Sequence, residues 1–136
     1  MAALFKYGED ARVSEYVKQQ IPQAQHGFDK CVTIGVEKDG ELIAGIVFFD
    51  WFPAWGNIYV AVAGHANWCT RRLLRCCYAY PFEQMDCKRV TVLISDDNRQ
   101  AIDLVTRIGF QLEGIMRGDP KCLIFGLLKN EAMKWK

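Results

Sequence analysis

Val13, Tyr16 and Val17, followed by Ile21, recur near helical spacing, which predicts a helix over 10–20 with Pro22 as its stop. Residues 23–30 are polar and read as a loop. Residues 31–37 are β-rich, and Asp39-Gly40 stands between them and a second β-rich run at 42–49. Asp-Gly in that position predicts a tight hairpin. Residues 50–56, with Pro53, Gly56, Trp51 and Trp55, read as a loop that leaves two tryptophans exposed. A third apolar run at 57–63 ends at Gly64.

The period changes in the second half. Leu73, Leu74, Cys77 and Tyr78 repeat at three and four, predicting a helix from Cys69 or Thr70 to about Phe82, with Thr70 as a cap. Residues 89–95 form a strand pattern. A helix starts at Asp97 or Asn98 and buries Ala101, Leu104, Val105 and Ile108. Gly109 follows at the position where a left-handed backbone suits glycine. Runs at 110–116 and 122–128 predict two last strands, with Gly118-Asp119-Pro120 in the turn. The order α, β, β, β, α, β, α, β, β predicts an α/β sheet with at least one parallel pair. No repeat, linker or low-complexity segment interrupts it.

Composition narrows the function classes. The chain has 136 residues, the size of one domain, and its 51% hydrophobic content supports a sizeable core. A net charge of +1 makes no case for nucleic-acid or membrane attraction. No run reaches the roughly eighteen apolar residues of a membrane span, and residues 1–7 do not form a signal peptide. A soluble cytoplasmic protein is the expectation. The six cysteines, Cys31, Cys69, Cys76, Cys77, Cys87 and Cys122, include no C-x-x-C pair and fit no common zinc spacing, so no metal site is expected. Reduced thiols are expected at all six. Adjacent Cys76 and Cys77 on a helix are poorly placed for a redox disulfide.

Residues 90–117 carry the most specific pattern. A strand leads to Asn98, then Ala101, Leu104, Gly109-Phe110, Glu113-Gly114 and Arg117. This order resembles the GNAT acetyltransferases, which move an acetyl group from acetyl-CoA to an amine. Glu113-Gly114 and Arg117 resemble its Rim-type branch, and the Trp and Thr-Arg of the turn at 65–72 resemble bacteriophage-encoded members. The resemblance spans about 33–128. It implies a single GNAT-like domain over 1–136: a mixed, mostly antiparallel sheet with a splayed central parallel strand pair, flanked by helices. It also implies acetyl-CoA as co-substrate and a small-molecule or protein amine as acceptor. Dimerisation is common in the family, which makes 122–128 a candidate edge for a homodimer.

The resemblance assigns site positions residue by residue. The family's phosphate turn corresponds to His65-Ala66-Asn67-Trp68-Cys69-Thr70-Arg71-Arg72. Trp68 and Thr70 stand where the family has glycines, and His65 replaces Gln or Arg. Backbone donors from Cys69 to Arg72 remain available for a pyrophosphate. Thr70 can add a hydroxyl, and Arg71 or Arg72 can add charge. The same helix start also reads as a plain amphipathic helix with a solvated arginine face. Backbone N–H groups around Val60, Ala61 and Val62 correspond to the thioester-binding strand. Asn98 and Ala101 fall on the pantetheine side, although Asn98 alone reads as an ordinary helix cap. Gly109, Phe110 and Glu113 read as structural.

The family's two usual catalytic side chains are missing. No carboxylate lies between Asn57 and Gly64, and Val105 occupies the position of the usual acid tyrosine. His65, Tyr59 and Asp50 remain as local candidates. His65 is the residue type most often used for proton transfer, but also reads as a loop residue. Asp50 could recognise a cationic acceptor or cap a loop, and Tyr59 could be an acid or core. Two functions stay open: an N-acetyltransferase acting on a primary amine (a protein N-terminus, a lysine or a small amine), or a catalytically degenerate GNAT-fold module that binds CoA or another protein. The exposed tryptophans would suit the second.

Overall fold

The computed structural model describes residues 3–65 and 67–135. Its elements are β1 (Leu4–Tyr7), α1 (Asp10–Gln20), β2 (Cys31–Lys38), β3 (Glu41–Phe52), β4 (Asn57–Gly64), α2 (Arg71–Ala79), β5 (Arg89–Ser95), α3 (Arg99–Arg107), β6 (Gln111–Met116), β7 (Cys122–Leu128) and a short α4 (Lys129–Ala132). The strands form one sheet in the order β1-β2-β3-β4-β5-β7-β6. Every neighbouring pair is antiparallel except β4–β5, which is parallel.

The β2–β3 hairpin closes through Asp39 and Gly40 at φ 53° and 83°, the two left-handed positions that match strand twist. One sheet face carries Ile34, Ile46, Phe48, Ile58, Val90 and Val92, which pack with Leu73 and Cys77 of α2 and Val105 of α3. The other face of the N-terminal strands is covered by α1. Val13 and Val17 are fully buried. A Cβ at Gly45 would lie 2.7 Å from a Val17 methyl, and one at Gly35 would lie 2.9 Å from a Val13 methyl. These glycines let the helix sit close to the sheet. Asp10 ties the two together by accepting from the backbone N–H and hydroxyl of buried Thr33, at 2.9 and 2.8 Å.

Five expectations need correction. β1 was not expected: it is four residues long and forms a sheet edge, so no alternation develops in it. The expected loop at 50–56 begins late, because β3 continues through Asp50 and Trp51 to Phe52. Asp50 sits at φ 50°, beside a register shift between Phe49 and Phe52, so a bulge accommodates the left-handed residue. Trp51 and Trp55 are exposed, at 49% and 73%.

Regular α2 stops at Ala79, and Tyr80–Gln84 forms a π-turn. Pro81 has no N–H to continue the i→i−4 ladder, and Met85 N–H bonds instead to Tyr80 O at 3.0 Å. A short helix, α4, follows β7. Finally, β7 is not an edge: it lies between β5 and β6, and β6 is the outer strand.

Candidate active site

Strands β4 and β5 pair only at Asn57↔Arg89, Ile58↔Val90 and Tyr59↔Thr91. Beyond that point β4 continues to Gly64 and β5 to Ser95, each paired only on its outer side. The parallel pair therefore opens like a V. The closed end is pinned by a polar cluster. Asn57 Oδ1 accepts from Thr91 Oγ1 at 2.6 Å and from Arg89 Nε at 3.2 Å. Arg89 also meets Glu113 of β6 with two hydrogen bonds, at 2.6 and 3.1 Å. The pair crosses β7 above Gly126, where a Cβ would collide with both side chains. The expected structural role of Glu113 fits this contact.

The open end of the V is a cleft of about 1060 Å³, at the upper end of the size range of small-molecule sites. Residues 60–65 form its floor. Gln100, Ala101, Leu104 and Arg107 of α3 line one side. Gln23, His26, Phe28 and Asp29 from the α1–β2 connection, with Phe49 and Asp50 of β3, line the other. The cleft thus passes through the gap in the sheet and is open to both faces. A ligand entering along α3 and one entering past the α1–β2 connection would meet at β4.

The expected site residues divide into two groups. Val60, Ala61, Val62, His65, Trp68, Cys69, Asn98, Ala101 and Asp50 all line the cleft. His65 is exposed, and its backbone N–H bonds to Ile43 O at 2.9 Å. Asn98 caps α3 by accepting from Ala101 N–H at 3.2 Å. Trp68 packs back onto β4: a Cβ at Gly64 would lie 2.6 Å from its indole Cδ1 and Nε1.

Tyr59, Thr70, Arg71 and Arg72 stand outside the cleft. The Tyr59 ring stacks on Phe49 with centroids 5.8 Å apart. Thr70 caps α2, its hydroxyl oxygen accepting from Leu73 N–H at 3.1 Å. Arg71 donates to Lys134 O at 3.2 Å. The Arg72 guanidinium lies 4.5 Å from the Phe5 ring centroid, a cation–π contact. Both arginines thus reach towards the terminal segments. Ala66 lies outside the described residues.

Val105, at the family's acid position, is buried in the core. Nearby Tyr78 donates to Ile108 O at 3.4 Å, and burial drives its phenol pKa far above the ordinary value, so it holds its proton at neutral pH. Burial likewise raises the Cys69 thiol, while the positive charge of Arg107 pulls it partly back. All six cysteines are free thiols. Sequence reasoning missed Arg107 and Lys121, the two Arg or Lys residues that line the cleft among the described residues. The available signal was the spacing Gln100, Leu104, Arg107, one face of α3.

No family model matches the chain, and no curated protein matches it. Solved structures do. A variant of the spermidine N-acetyltransferase of Vibrio cholerae superposes with a TM-score of 0.74 at 10% identity, covering 96% of each chain. Another variant of that enzyme gives 0.71 at 12% identity, covering 98% of each. A protein described as a probable acetyltransferase gives 0.65 at 20% identity, covering 75% of this chain and 64% of its own. With one mixed sheet opened between its single parallel pair, and with this likeness over nearly its whole length, the chain has the fold of the GNAT acetyltransferases.

Proposed function

We propose that the protein is an N-acetyltransferase that moves an acetyl group from acetyl-CoA to a primary amine. The observation that carries this reading is the V between β4 and β5, whose cleft reaches both faces of the sheet. A thioester brought in along α3 and an amine brought in past the α1–β2 connection can be held together at β4. Such positioning alone supplies a large share of the acceleration of a two-substrate reaction.

Along β4 the N–H groups alternate sides: that of His65 bonds to Ile43 O across β3, and Ala61, in the same phase and opposite Val47, also turns towards β3. Val60 and Val62 therefore aim theirs at the open cleft, where they are the candidates to meet a thioester carbonyl and its developing oxyanion. Asn98 and Ala101 open α3 beside the acyl end. The backbone N–H groups of Cys69, Arg71 and Arg72, at the start of α2, are the candidate donors to phosphate oxygens, since the Thr70 N–H is bonded to Trp68 O at 3.1 Å. Acetyl-CoA supplies the activated acyl group. His65 is the candidate to take the amine proton, and Asp50 is the candidate to attract a cationic acceptor. Tyr59 supports that side by stacking on Phe49.

The reading is tested by incubating the protein with acetyl-CoA and a panel of peptides and small amines, with acetylated products detected by mass spectrometry. His65→Ala should lower turnover at least tenfold while changing acetyl-CoA affinity less than threefold, both order-of-magnitude expectations for a general base. Equal turnover in parent and variant removes His65 from the chemistry.

One observation favours a second reading. The Trp68 indole lies against Gly64 at the open end of β4, on the route from α2 into the cleft. If it stays there, the protein is a non-catalytic GNAT-fold module, and no amine in the panel is acetylated.

A further inference from the structure

The proposed cofactor carries several phosphate charges. The start of α2 supplies N–H donors and about half a unit of positive charge, which leaves most of that charge unmatched. The two arginines next in sequence do not make up the difference. Arg71 is bonded to Lys134 O, Arg72 lies on the Phe5 ring, and neither lines the cleft.

Across the groove, Arg107 does line it. It ends the α3 stripe that begins at Gln100 and runs through Leu104. Its charge is felt at Cys69, in the turn that opens α2. It is exposed, and among the described residues its guanidinium makes no hydrogen bond or salt bridge. Asp103, one turn earlier, also lines the cleft and would repel an anion. Lys121, which also lines the cleft, follows Pro120 at the far end of β5, where its carbonyl accepts from Asp96 N–H. That is the Asn98 end of α3, where the acyl group is expected.

We propose that Arg107 binds the phosphate groups of the cofactor, facing the turn at 67–70 across the groove. This rests on the acetyl-CoA reading above. The phosphate-binding charge then comes from the last turn of α3 instead of the first turn of α2. A guanidinium there offers paired donors to two oxygens, and the cofactor lies with its phosphates at Arg107 and its acyl end towards Asn98.

The alternative is that Arg107 only complements the dipole at the end of its helix. Calorimetric titration of acetyl-CoA into the parent, Arg107→Gln and Arg107→Lys, each at about 50 and about 300 mM NaCl, separates the two. The proposal expects Arg107→Gln to weaken binding at least tenfold at low salt and to flatten the salt dependence. Arg107→Lys should restore part of both. Arg107→Gln within twofold of the parent, or as salt-sensitive as the parent, overturns it. So does loss of affinity in Arg71→Ala/Arg72→Ala with Arg107→Gln unchanged. A parent that binds no acetyl-CoA at either salt concentration contradicts the proposed function itself.

Discussion

Asn98 illustrates how one side chain can satisfy two readings. Its Oδ1 caps α3, and the residue also lines the cleft. Asn98→Ala should therefore cost about 1 kcal/mol in urea unfolding and also weaken acetyl-CoA binding. Asn98→Asp keeps the cap acceptor and should recover the stability. If Asn98→Ala loses stability but no affinity, the residue is only a cap. Cys69 gives a pH test of the groove. Burial raises its pKa, so thiolate is scarce at pH 7 and alkylation should speed up only as pH rises past the ordinary thiol range. Arg107 favours the thiolate, so Arg107→Gln should move that profile to higher pH. Peptide-resolved alkylation reads this directly, and an unmoved or lowered profile would separate Arg107 from the turn. At this scale the sequence was only half legible. Asn98 and the strand residues Val60, Ala61 and Val62 line the cleft. Arg71 and Arg72 do not, because a run of arginines after a cap does not say which side chains face inwards.

At the scale of elements, periodicity located α1, β2, β5, α3 and β7 well, since each has a strong apolar face and clear stops. It missed β1, which is too short to alternate, and the π-turn, whose cause is the single Pro81. It also could not see that β7 inserts between β5 and β6, because strand order is set by long-range pairing. That insertion gives Gly126 its role. It leaves room for the Arg89–Glu113 pair to cross β7 and pin the closed end of the V. Gly126→Ala should push the pair apart and destabilise the domain by about 1–3 kcal/mol, the scale of a lost charged hydrogen-bond network. Adding Glu113→Gln should then cost little more, because the two changes remove the same contact. Fully additive losses in a denaturation cycle would separate Gly126 from the pair.

For the whole molecule, the arrangement that matters is a sheet that is continuous at one end of β4–β5 and open at the other. The mixed α/β class and the parallel pair were legible from the alternation of helix and strand. The continuity of the cleft from the α1–β2 connection to α3 was not, because its walls come from segments about eighty residues apart in sequence. The opening makes one site of two half-sites, and the account stands on its taking acetyl-CoA. Calorimetric titration with acetyl-CoA, with desulfo-CoA and ATP as comparison ligands, tests this most directly. The account predicts saturable binding with a Kd of order 1–100 μM, about −5 to −8 kcal/mol, and much weaker binding of ATP. No heat of binding at about 1 mM acetyl-CoA, or equal affinity for ATP, would contradict it.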